Sequence, residues 1–183
     1  IGAALGTIDH NADGIDDFII GAPDNSEGGT DAGSVYVVFG PVEGVMSLGM
    51  ADIQYTGESA SDKLGTSVSS AGDIDGDGID DIIAGATLDD GAATNAGAAY
   101  VVAGGGTMDG AIDEYAFVKL TGEASEDQFG AHVVGNGDID DDGMDDLLVS
   151  APLAGGTYDT GTVYVFYGTL AGTISAAEAG AMD

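Results

Sequence analysis

Aspartates recur at alternate positions in three glycine-centred segments of the sequence. The segments read DHNADGIDDFIIGAP from Asp9, DIDGDGIDDIIAGAT from Asp73 and DIDDDGMDDLLVSAP from Asp138. Side-chain oxygens at the first, third, fifth and ninth positions, with a backbone carbonyl at the seventh, form the oxygen-only shell that Ca²⁺ prefers. The glycine at the sixth position permits the sharp reversal that such a loop needs. The spacing therefore predicts about three calcium sites, one per loop.

Each loop supplies one set of predicted ligands. The side-chain ligands are Asp9, Asn11, Asp13 and Asp17 in the first loop, Asp73, Asp75, Asp77 and Asp81 in the second, and Asp138, Asp140, Asp142 and Asp146 in the third. The predicted carbonyl donors are Ile15, Ile79 and Met144, whose side chains we expect to point into the protein interior. Because Asn11 replaces a carboxylate, we expect the first site to bind more weakly. We interpret the ions as structural, each joining two strands.

The loops do not match an EF-hand. That motif needs a glutamate at the twelfth position and flanking helices, whereas Ile20, Ala84 and Val149 occupy the twelfth position here. The loops also lie roughly 64 residues apart, which argues against a calcium-lined rod such as a cadherin-like array.

The similarity between the three units extends well beyond the acidic loops. SVYVVFG ending at Gly40, AAYVVAG ending at Gly104 and TVYVFYG ending at Gly168 occupy equivalent places. Short β-branched and aromatic runs bounded by Gly, Asp and Ser are typical of strands. In the second unit we predict strands near residues 65–71, 80–85, 97–103 and 115–121. The whole chain is predicted to be all-β with about eleven strands, and with helical turns only within Met46–Gln54 and Ile174–Met182.

A four-stranded antiparallel unit of this size is expected to be a propeller blade. We place blade 1 at about residues 1–57, blade 2 at about 64–121 and a partial blade 3 at about 129–183. Rings typically contain four to eight blades, so about three blades make an incomplete ring. Open blade edges could pair with further copies of the chain.

The segment QFGAHVVGNGDIDDDGMDDLLVSAP from Gln128, like KLGTSVSSAGDIDGDGIDDIIAGAT from Lys63, resembles the FG-GAP repeat. Such repeats form the blades of integrin α-subunit propellers and of many secreted microbial proteins. The resemblance covers essentially the whole chain, although Leu64 replaces the phenylalanine in one unit, and Thr87 and Ser150 depart from the GAP sequence. It implies a seven-bladed ring in the full family fold, calcium-binding hairpins on one face, and partner binding on the other.

The composition excludes several classes of partner. The 183 residues include 33 acids and only two fixed cations, which gives a formal net charge of −31. Such a chain cannot neutralise a phosphate backbone or bind an anionic membrane directly. Because 44% of the residues are hydrophobic, the chain can still bury a core. The absence of cysteine excludes disulfides and thiolate chemistry.

No catalytic constellation is visible, so we predict that the chain is not an enzyme. His10 and His132 have no matching nucleophile and are interpreted as packing or surface residues. The acids that precede the ninth position, Asp16, Asp80 and Asp145, repeat in every loop and therefore indicate loop geometry rather than hydrolysis. Tyr36, Tyr100 and Tyr164 could stack on sugars, but their equal spacing favours packing between blades.

The functional prediction is a calcium-binding FG-GAP propeller segment of a secreted or cell-surface protein, acting in adhesion through a protein or glycan ligand. Two alternatives remain: an accessory scaffold of an extracellular hydrolase or lyase, and a structural subunit of a surface layer or filament. Ligand contacts are expected in the loops Asp24–Ala32, Leu88–Ala96 and Leu153–Thr160 and in the links Gly57–Leu64 and Gly122–Gln128.

Overall fold

Strands account for nearly all the regular structure of the protein. A computed structural model describes residues 3–135, 137–155 and 160–180. The strands in these ranges are β1 (Ala4–Ile8), β2 (Asp17–Ala22), β3 (Ser34–Val38), β4 (Ile53–Thr56), β5 (Leu64–Gly72), β6 (Asp81–Ala86), β7 (Ala98–Val102), β8 (Gly110–Ala111), β9 (Ala116–Thr121), β10 (His132–Val134), β11 (Leu147–Ala151), β12 (Thr162–Phe166) and β13 (Gly172–Ser175). No helix in the described part of the chain is long and apolar enough to cross a membrane.

The strands form three sheets, each following the chain in antiparallel order. Blade 1 is β1-β2-β3-β4, blade 2 is β5-β6-β7-β9, and blade 3 contains β10-β11-β12. Each of the first two sheets gains a parallel fifth strand, β8 on β4 and β13 on β9. The all-β class is confirmed, and the meander order within each sheet is that of propeller blades.

The predicted strand count was too low. The sequence predicted about eleven strands, whereas the described residues contain thirteen. The additional strands, β8 and β13, lie in the connections that follow β7 and β12. The predicted helical turns are short 3-10 turns at Leu48–Met50 and Ala176–Glu178, and part of the second predicted segment belongs to β13. One unpredicted α-helical turn, α1 (Ile112–Tyr115), carries Asp113 and Glu114 in its first turn, where acids stabilise the helix dipole.

The hydrophobic core lies between the blades. Side chains alternate between the two faces of a strand, so each blade presents two apolar faces. One cluster joins blade 1 to blade 2 and includes Ile19, Val35, Val37, Ile53, Tyr55, Ile82, Ala84, Tyr100 and Val102. A second cluster joins the opposite face of blade 2 to blade 3 and includes Ile83, Ala99, Val101, Val118, Leu120, Phe129, Leu147 and Val149. Neighbouring blades therefore stack face to face in a constant direction.

The glycines of the repeat allow two backbones to meet at each junction. Gly65, at the start of blade 2, lies against Gly21 of blade 1, and Gly130 lies against Gly85 in the same way. The preceding residues fix the junction further: the Leu64 amide donates to the Ala32 carbonyl over 2.9 Å, and Phe129 repeats this bond with Ala96. Any Cβ at Gly21 or Gly85 would collide with the carbonyl of the following blade.

Substitution of Gly85 by alanine is expected to loosen the junction between blades 2 and 3. The new methyl group would overlap the backbone of Gly130, and overpacking of this kind costs about 1–3 kcal/mol. Urea unfolding in saturating calcium measures the loss. Gly137→Ala is the control, because a Cβ there meets nothing within 4 Å and should leave the midpoint unchanged. Equal midpoints for both variants would show that the glycine contact is not tight.

Candidate metal centres

The three acidic loops lie at the same end of their blades. Each connects the first strand of a blade to the second, as β1 to β2, β5 to β6 and β10 to β11. Because the strands alternate in direction, the loops that join β2 to β3 and β6 to β7 lie at the other end, together with the links from β4 to β5 and from β9 to β10. The acidic loops are thus separated from the loops of the opposite end by the length of a strand.

Each loop is shaped by its own carboxylates. The first-position aspartate accepts two backbone N–H groups: Gly76 and Gly78 donate to Asp73 over 2.8 and 2.9 Å, and Asp9 and Asp138 hold their loops in the same manner. The fifth-position carboxylate accepts the N–H two residues ahead over 2.8 Å, as from Ile79 to Asp77. Asx turns of this kind bend a chain locally without help from the sheet. The ligand positions are therefore preformed by short-range bonds.

The ninth-position aspartate connects the loop to the sheet. Asp17, Asp81 and Asp146 are all buried. Asp81 accepts the Ile74 amide over 2.9 Å and the Gly104 amide over 3.0 Å. Asp17 and Asp146 repeat this pattern with the second loop position and with Gly40 or Gly168. Burial raises the pKa of Asp81 to about 6, although the two N–H bonds act in the opposite direction.

Two of the loops bring three carboxylates to one point. Asp73, Asp75 and Asp81 each place a carboxylate oxygen within 4.8 Å of the others, and so do Asp138, Asp140 and Asp146. The fifth-position residues Asp77 and Asp142 lie outside these groups and face their own turns. The structure thus brings together the first, third and ninth predicted positions, in an arrangement that a hard cation could occupy.

The first loop differs from the other two. Because Asn11 occupies its third position, the described residues form no triad of acids in this loop. Its second position is His10, whose ring is buried, stacks on Phe39 with 6.2 Å between centroids, and contacts the Gly106 carbonyl over 3.1 Å. Burial lowers the pKa of His10, against the opposing effects of Gly106 and Asp17. The packing role predicted for His10 agrees with this environment, and His132 is exposed on β10.

The sequence predicted that the side chains at the seventh loop position point into the protein interior. This prediction was wrong, because they do not all point inward. Ile15 is 42% exposed, and Ile79 and Met144 are partly buried. Ile15 and Ile79 lie against Gly40 and Gly104, where an added Cβ would collide with them. These side chains cover the glycine that follows the third strand rather than entering the core between blades.

Two of the acids that precede the ninth position, Asp80 and Asp145, form hydrogen bonds near the acidic loops. Asp145 of blade 3 accepts the Asp73 amide of blade 2 over 3.2 Å, and Asp80 contacts the Ser70 hydroxyl over 3.4 Å. These contacts agree with loop geometry rather than with a pair of hydrolytic acids. Asp145 also joins the second acidic loop directly to the third.

A polar network lies at the opposite end of the junction between blades 1 and 2. The Tyr100 hydroxyl contacts Glu58 over 2.8 Å and Asp89 over 3.0 Å, and the Lys119 ammonium contacts the same two carboxylates over 2.6 and 3.2 Å. Tyr100 is fully buried beneath this network, so it cannot offer a face to a sugar. Burial tends to raise the pKa of Glu58, but the Lys119 and Tyr100 hydrogen bonds outweigh it and leave that pKa below its ordinary value.

Asp62 is a buried acid beside this network. Burial, together with the nearby Asp89 and Glu58, raises its pKa to about 6, against the effect of the Ser59 N–H bond. An acid whose pKa is higher in the folded state than in the unfolded state favours folding while it is protonated. Its contribution is complete below about pH 3.8 and is lost as the pH rises through about 6.

Replacement of Asp62 by asparagine should therefore flatten the pH dependence of stability between pH 4 and 7. The rise from 3.8 to about 6 corresponds to about 3 kcal/mol at about 1.4 kcal/mol per pKa unit, and solvent screening of this partly buried group reduces it, so we expect the variant to gain about 1–2 kcal/mol on the wild type across this interval. Urea unfolding at fixed calcium and a series of pH values measures the difference. The control is Glu43→Gln, at an exposed position, which should show the same pH dependence of stability as the wild type. If stability depended on pH in the same way for D62N and the wild type, the raised pKa assigned to Asp62 would be wrong.

Stacked antiparallel blades, each with an acidic hairpin at the same end, define the chain as part of a β-propeller repeat protein. The FG-GAP repeat family matches it in three places, at residues 1–38, 64–102 and 131–166. The chain belongs to this family, as the resemblance of its motifs predicted.

Several integrin α subunits are similar to the chain. Integrin alpha-5 of Xenopus laevis is 32% identical over 159 residues, which cover 82% of this chain and 14% of that protein. Integrin alpha-V of Gallus gallus is 30% identical over 177 residues, which cover 94% of the chain and 16% of that protein. Integrin alpha pat-2 of Caenorhabditis elegans is 30% identical over 167 residues, or 82% of the chain and 13% of that protein. The chain thus spans only a small part of these relatives.

Sequence reasoning missed one group of residues that shapes the loops. Gly40, Gly104 and Gly168 donate their amides to the ninth-position aspartates. The signal was present, because each of these glycines ends an equivalent third strand. The hydrogen bond itself could not be predicted from the sequence, because it joins residues more than 20 positions apart, such as the 23 between Asp81 and Gly104.

Proposed function

We propose that the chain is a calcium-binding FG-GAP propeller segment of a secreted or cell-surface protein, and that it acts in adhesion. The observation that carries this proposal is the pair of carboxylate triads at equivalent places in blades 2 and 3. In each blade the ion would be held by the four predicted side chains and by the carbonyl of Ile15, Ile79 or Met144. On this proposal residues 1–57, 64–121 and 129–183 are three blades with one ion each.

The chemistry of the donors favours calcium over other cations. Every proposed donor is an oxygen, and the chain has no cysteine to select a soft metal. Ca²⁺ accepts six to eight oxygens at about 2.3–2.6 Å in flexible geometry, whereas Mg²⁺ demands a near-octahedral shell and retains water. Loops that offer up to five protein oxygens from a single hairpin suit the larger ion.

The proposed ions would stabilise the fold by relieving repulsion. Three carboxylates within 4.8 Å of one another repel when no cation is present, and one of each set is buried. An ion that binds only to the folded chain adds RT ln(1 + [L]/Kd) to the free energy of unfolding, or about 2.7 kcal/mol per site at a hundredfold excess over Kd. Calcium would thus secure the hairpin that starts each blade.

Removal of calcium is expected to lower the melting temperature. At about 2–4 °C per kcal/mol for a chain of this size, loss of one saturated site corresponds to about 5–10 °C. Differential scanning calorimetry in excess calcium and then in excess EDTA measures the shift. Asp75→Asn should reduce the shift, whereas Glu43→Gln, which removes an acid outside the loops, should preserve it. An unchanged melting curve in EDTA would refute a structural role for the ion.

The third loop position should set the relative affinities. Asn11→Asp would give the first loop the acid that the other two possess, and Asp140→Asn would give the third loop the composition of the first. We expect the first change to strengthen calcium binding at one site and the second to weaken it, each by about tenfold, since affinity follows ligand charge. Isothermal titration calorimetry checks both. A strengthened site in D140N would contradict the assigned role of this position.

The proposal of an adhesive role is based on the similarity of the chain to integrin α subunits. The relatives are integrin α subunits, and partner binding in integrin-type propellers is attributed to the face opposite the calcium hairpins. In this chain that end holds the loops after β2 and β6 and the links after β4 and β9. The predicted loop Leu153–Thr160 belongs to the same set, but residues 156–159 lie outside the described residues. We propose that a protein ligand contacts this end, with a glycan as the alternative.

A further inference from the structure

The junction between blades 1 and 2 contains a pocket of about 340 Å³ near the first acidic loop. Tyr55 of β4 and Tyr115 at the end of α1 form two of its walls, and Gly104–Gly106 form its floor. Val102 and Met108 add apolar surface to the lining. All of these residues belong to blades 1 and 2, whose four strands are each described, so the chain itself bounds the pocket. Its size lies at the lower end of the range for ligand sites in proteins.

Glycine opens this pocket at a place that the next repeat fills with aliphatic side chains. Gly106 and Gly110 hold the positions that Leu170 and Ile174 hold in the connection of blade 3. Leu170 and Ile174 pack against the core between blades 2 and 3. At Gly110 the ring of Tyr115 takes up the space, since a Cβ there would collide with it. At Gly106 an added Cβ would meet no atom closer than 3.4 Å, so the protein leaves room there for an aliphatic group.

Hydrogen bonds hold the floor of the pocket in place. The Gly105 amide donates to the His10 carbonyl over 2.6 Å, and Nε2 of the buried His10 ring donates to the Gly106 carbonyl over 3.1 Å. On the other side, the Tyr115 hydroxyl donates to the Asp109 carbonyl over 3.1 Å. A site whose walls are fixed before binding loses little conformational entropy when it is occupied, so the pocket is preorganised for a ligand.

Tyr55 presents a polar group to this apolar space. The residue is 1% exposed, and its hydroxyl forms no hydrogen bond among the described residues. The hydroxyl oxygen lies 3.4 Å from the place of a Cβ on Gly106, so it faces the pocket. Burial raises the pKa of Tyr55 to about 12, with smaller effects of Tyr115 and Asp109, and the hydroxyl therefore keeps its proton at neutral pH. Because buried hydroxyls are nearly always hydrogen-bonded, this donor points to an acceptor that a ligand supplies.

The surroundings of the pocket are acidic. Three exposed acids, Asp109, Asp113 and Glu114, lie in the same connection as the lining residues Met108 and Tyr115. The two lysines of the chain pair with carboxylates elsewhere. The electrostatic potential at the mouth of the pocket is therefore negative, which favours an occupant with basic neighbours.

We propose that this pocket receives one aliphatic side chain, of leucine size, from a protein partner whose neighbouring residues are basic. The side chain would lie beside Gly106, where the next repeat places its own Leu170. The Tyr55 hydroxyl would donate to a backbone carbonyl of the partner. Met108 is 62% exposed at the mouth, and its flexible thioether can adjust to the bound chain.

A second copy of the chain is a poor occupant, because each copy carries a net charge of −31. The pocket also lies beside the first acidic loop, at the end of the blades opposite to the loops proposed to contact an adhesive ligand. The two proposals are therefore independent, and the failure of one leaves the other standing.

Peptides that differ in one kind of side chain test the occupant. The probes are acetyl-Lys-Leu-Lys-amide, acetyl-Lys-Ala-Lys-amide and acetyl-Glu-Leu-Glu-amide, titrated at low ionic strength in saturating calcium and followed by NMR of the isotopically labelled chain. We expect the first peptide to shift the amide signals of Gly104–Thr107. It should bind at least about tenfold more tightly than either of the others, because only it matches both the apolar pocket and the acidic surroundings. Unshifted signals at Gly104–Thr107, or a control peptide that binds as tightly as the first, would overturn the proposal.

Two variants test the pocket itself. Gly106→Leu copies Leu170 of the next repeat and should fill the space from within, which raises the unfolding temperature and weakens peptide binding by at least about tenfold. Tyr55→Phe removes the hydroxyl and keeps the ring. It should preserve the unfolding temperature and weaken binding by about two- to tenfold, which is the contribution of one hydrogen bond.

Gly49→Leu is the matched control for the added side chain. It places leucine in the 3-10 turn of blade 1, where a Cβ meets only the Ser47 hydroxyl at 3.8 Å, and it should bind the leucine peptide as the wild type does. Retained binding in Gly106→Leu, or an equal loss in Gly49→Leu, would contradict the assigned site. Light scattering should give a monomer throughout, and a dimer that dissociates in Gly106→Leu would overturn the proposal in favour of a second copy.

Discussion

Backbone contact between glycines at the blade junctions is the constraint on which the rest of the structure depends. Gly21 meets Gly65, and Gly85 meets Gly130, at distances that leave no room for a side chain. This approach brings the apolar faces of neighbouring sheets together and aligns the bonds from Leu64 and Phe129 to the preceding blade. The FG and GAP parts of the family motif are thus two sides of one contact, formed between successive repeats rather than within one. Ser150 stands at the GAP position of blade 3, where the described chain has no following blade.

The acidic loops depend on this framework through their buried ninth residue. Asp81 joins the loop backbone at Ile74 to the end of β7 at Gly104. The next residue, Gly105, donates its amide to the His10 carbonyl of the first loop over 2.6 Å. Asp145 connects the third loop to the second in a similar way. The three loops are therefore joined along one edge of the protein by hydrogen bonds between neighbouring blades.

Much of this arrangement follows from local sequence. Alternating aspartates and glycines specify each hairpin through bonds over two to five residues, and β-branched runs such as Val35–Val38 specify the strands. The pairing of strands that lie far apart in the sequence could not be predicted in this way. β8 consists of Gly110 and Ala111, which have weak strand propensity, and its existence depends on β4 of another repeat. The exposure of Ile15 was missed for a related reason, because the seventh position covers a distant glycine rather than the core.

The borrowed fifth strands also affect how the protein avoids aggregation. An outermost strand with free N–H and C=O groups is a template for pairing with other molecules. Here β13 covers four residues of β9, and β8 covers two residues of β4, so blades 2 and 3 each cover the outermost strand of the blade before them. Protection is therefore a property of the series of repeats and not of any single one. After a duplication or deletion of repeats, the outermost strand of a blade stays covered only if the next blade still supplies the connecting segment that pairs with it.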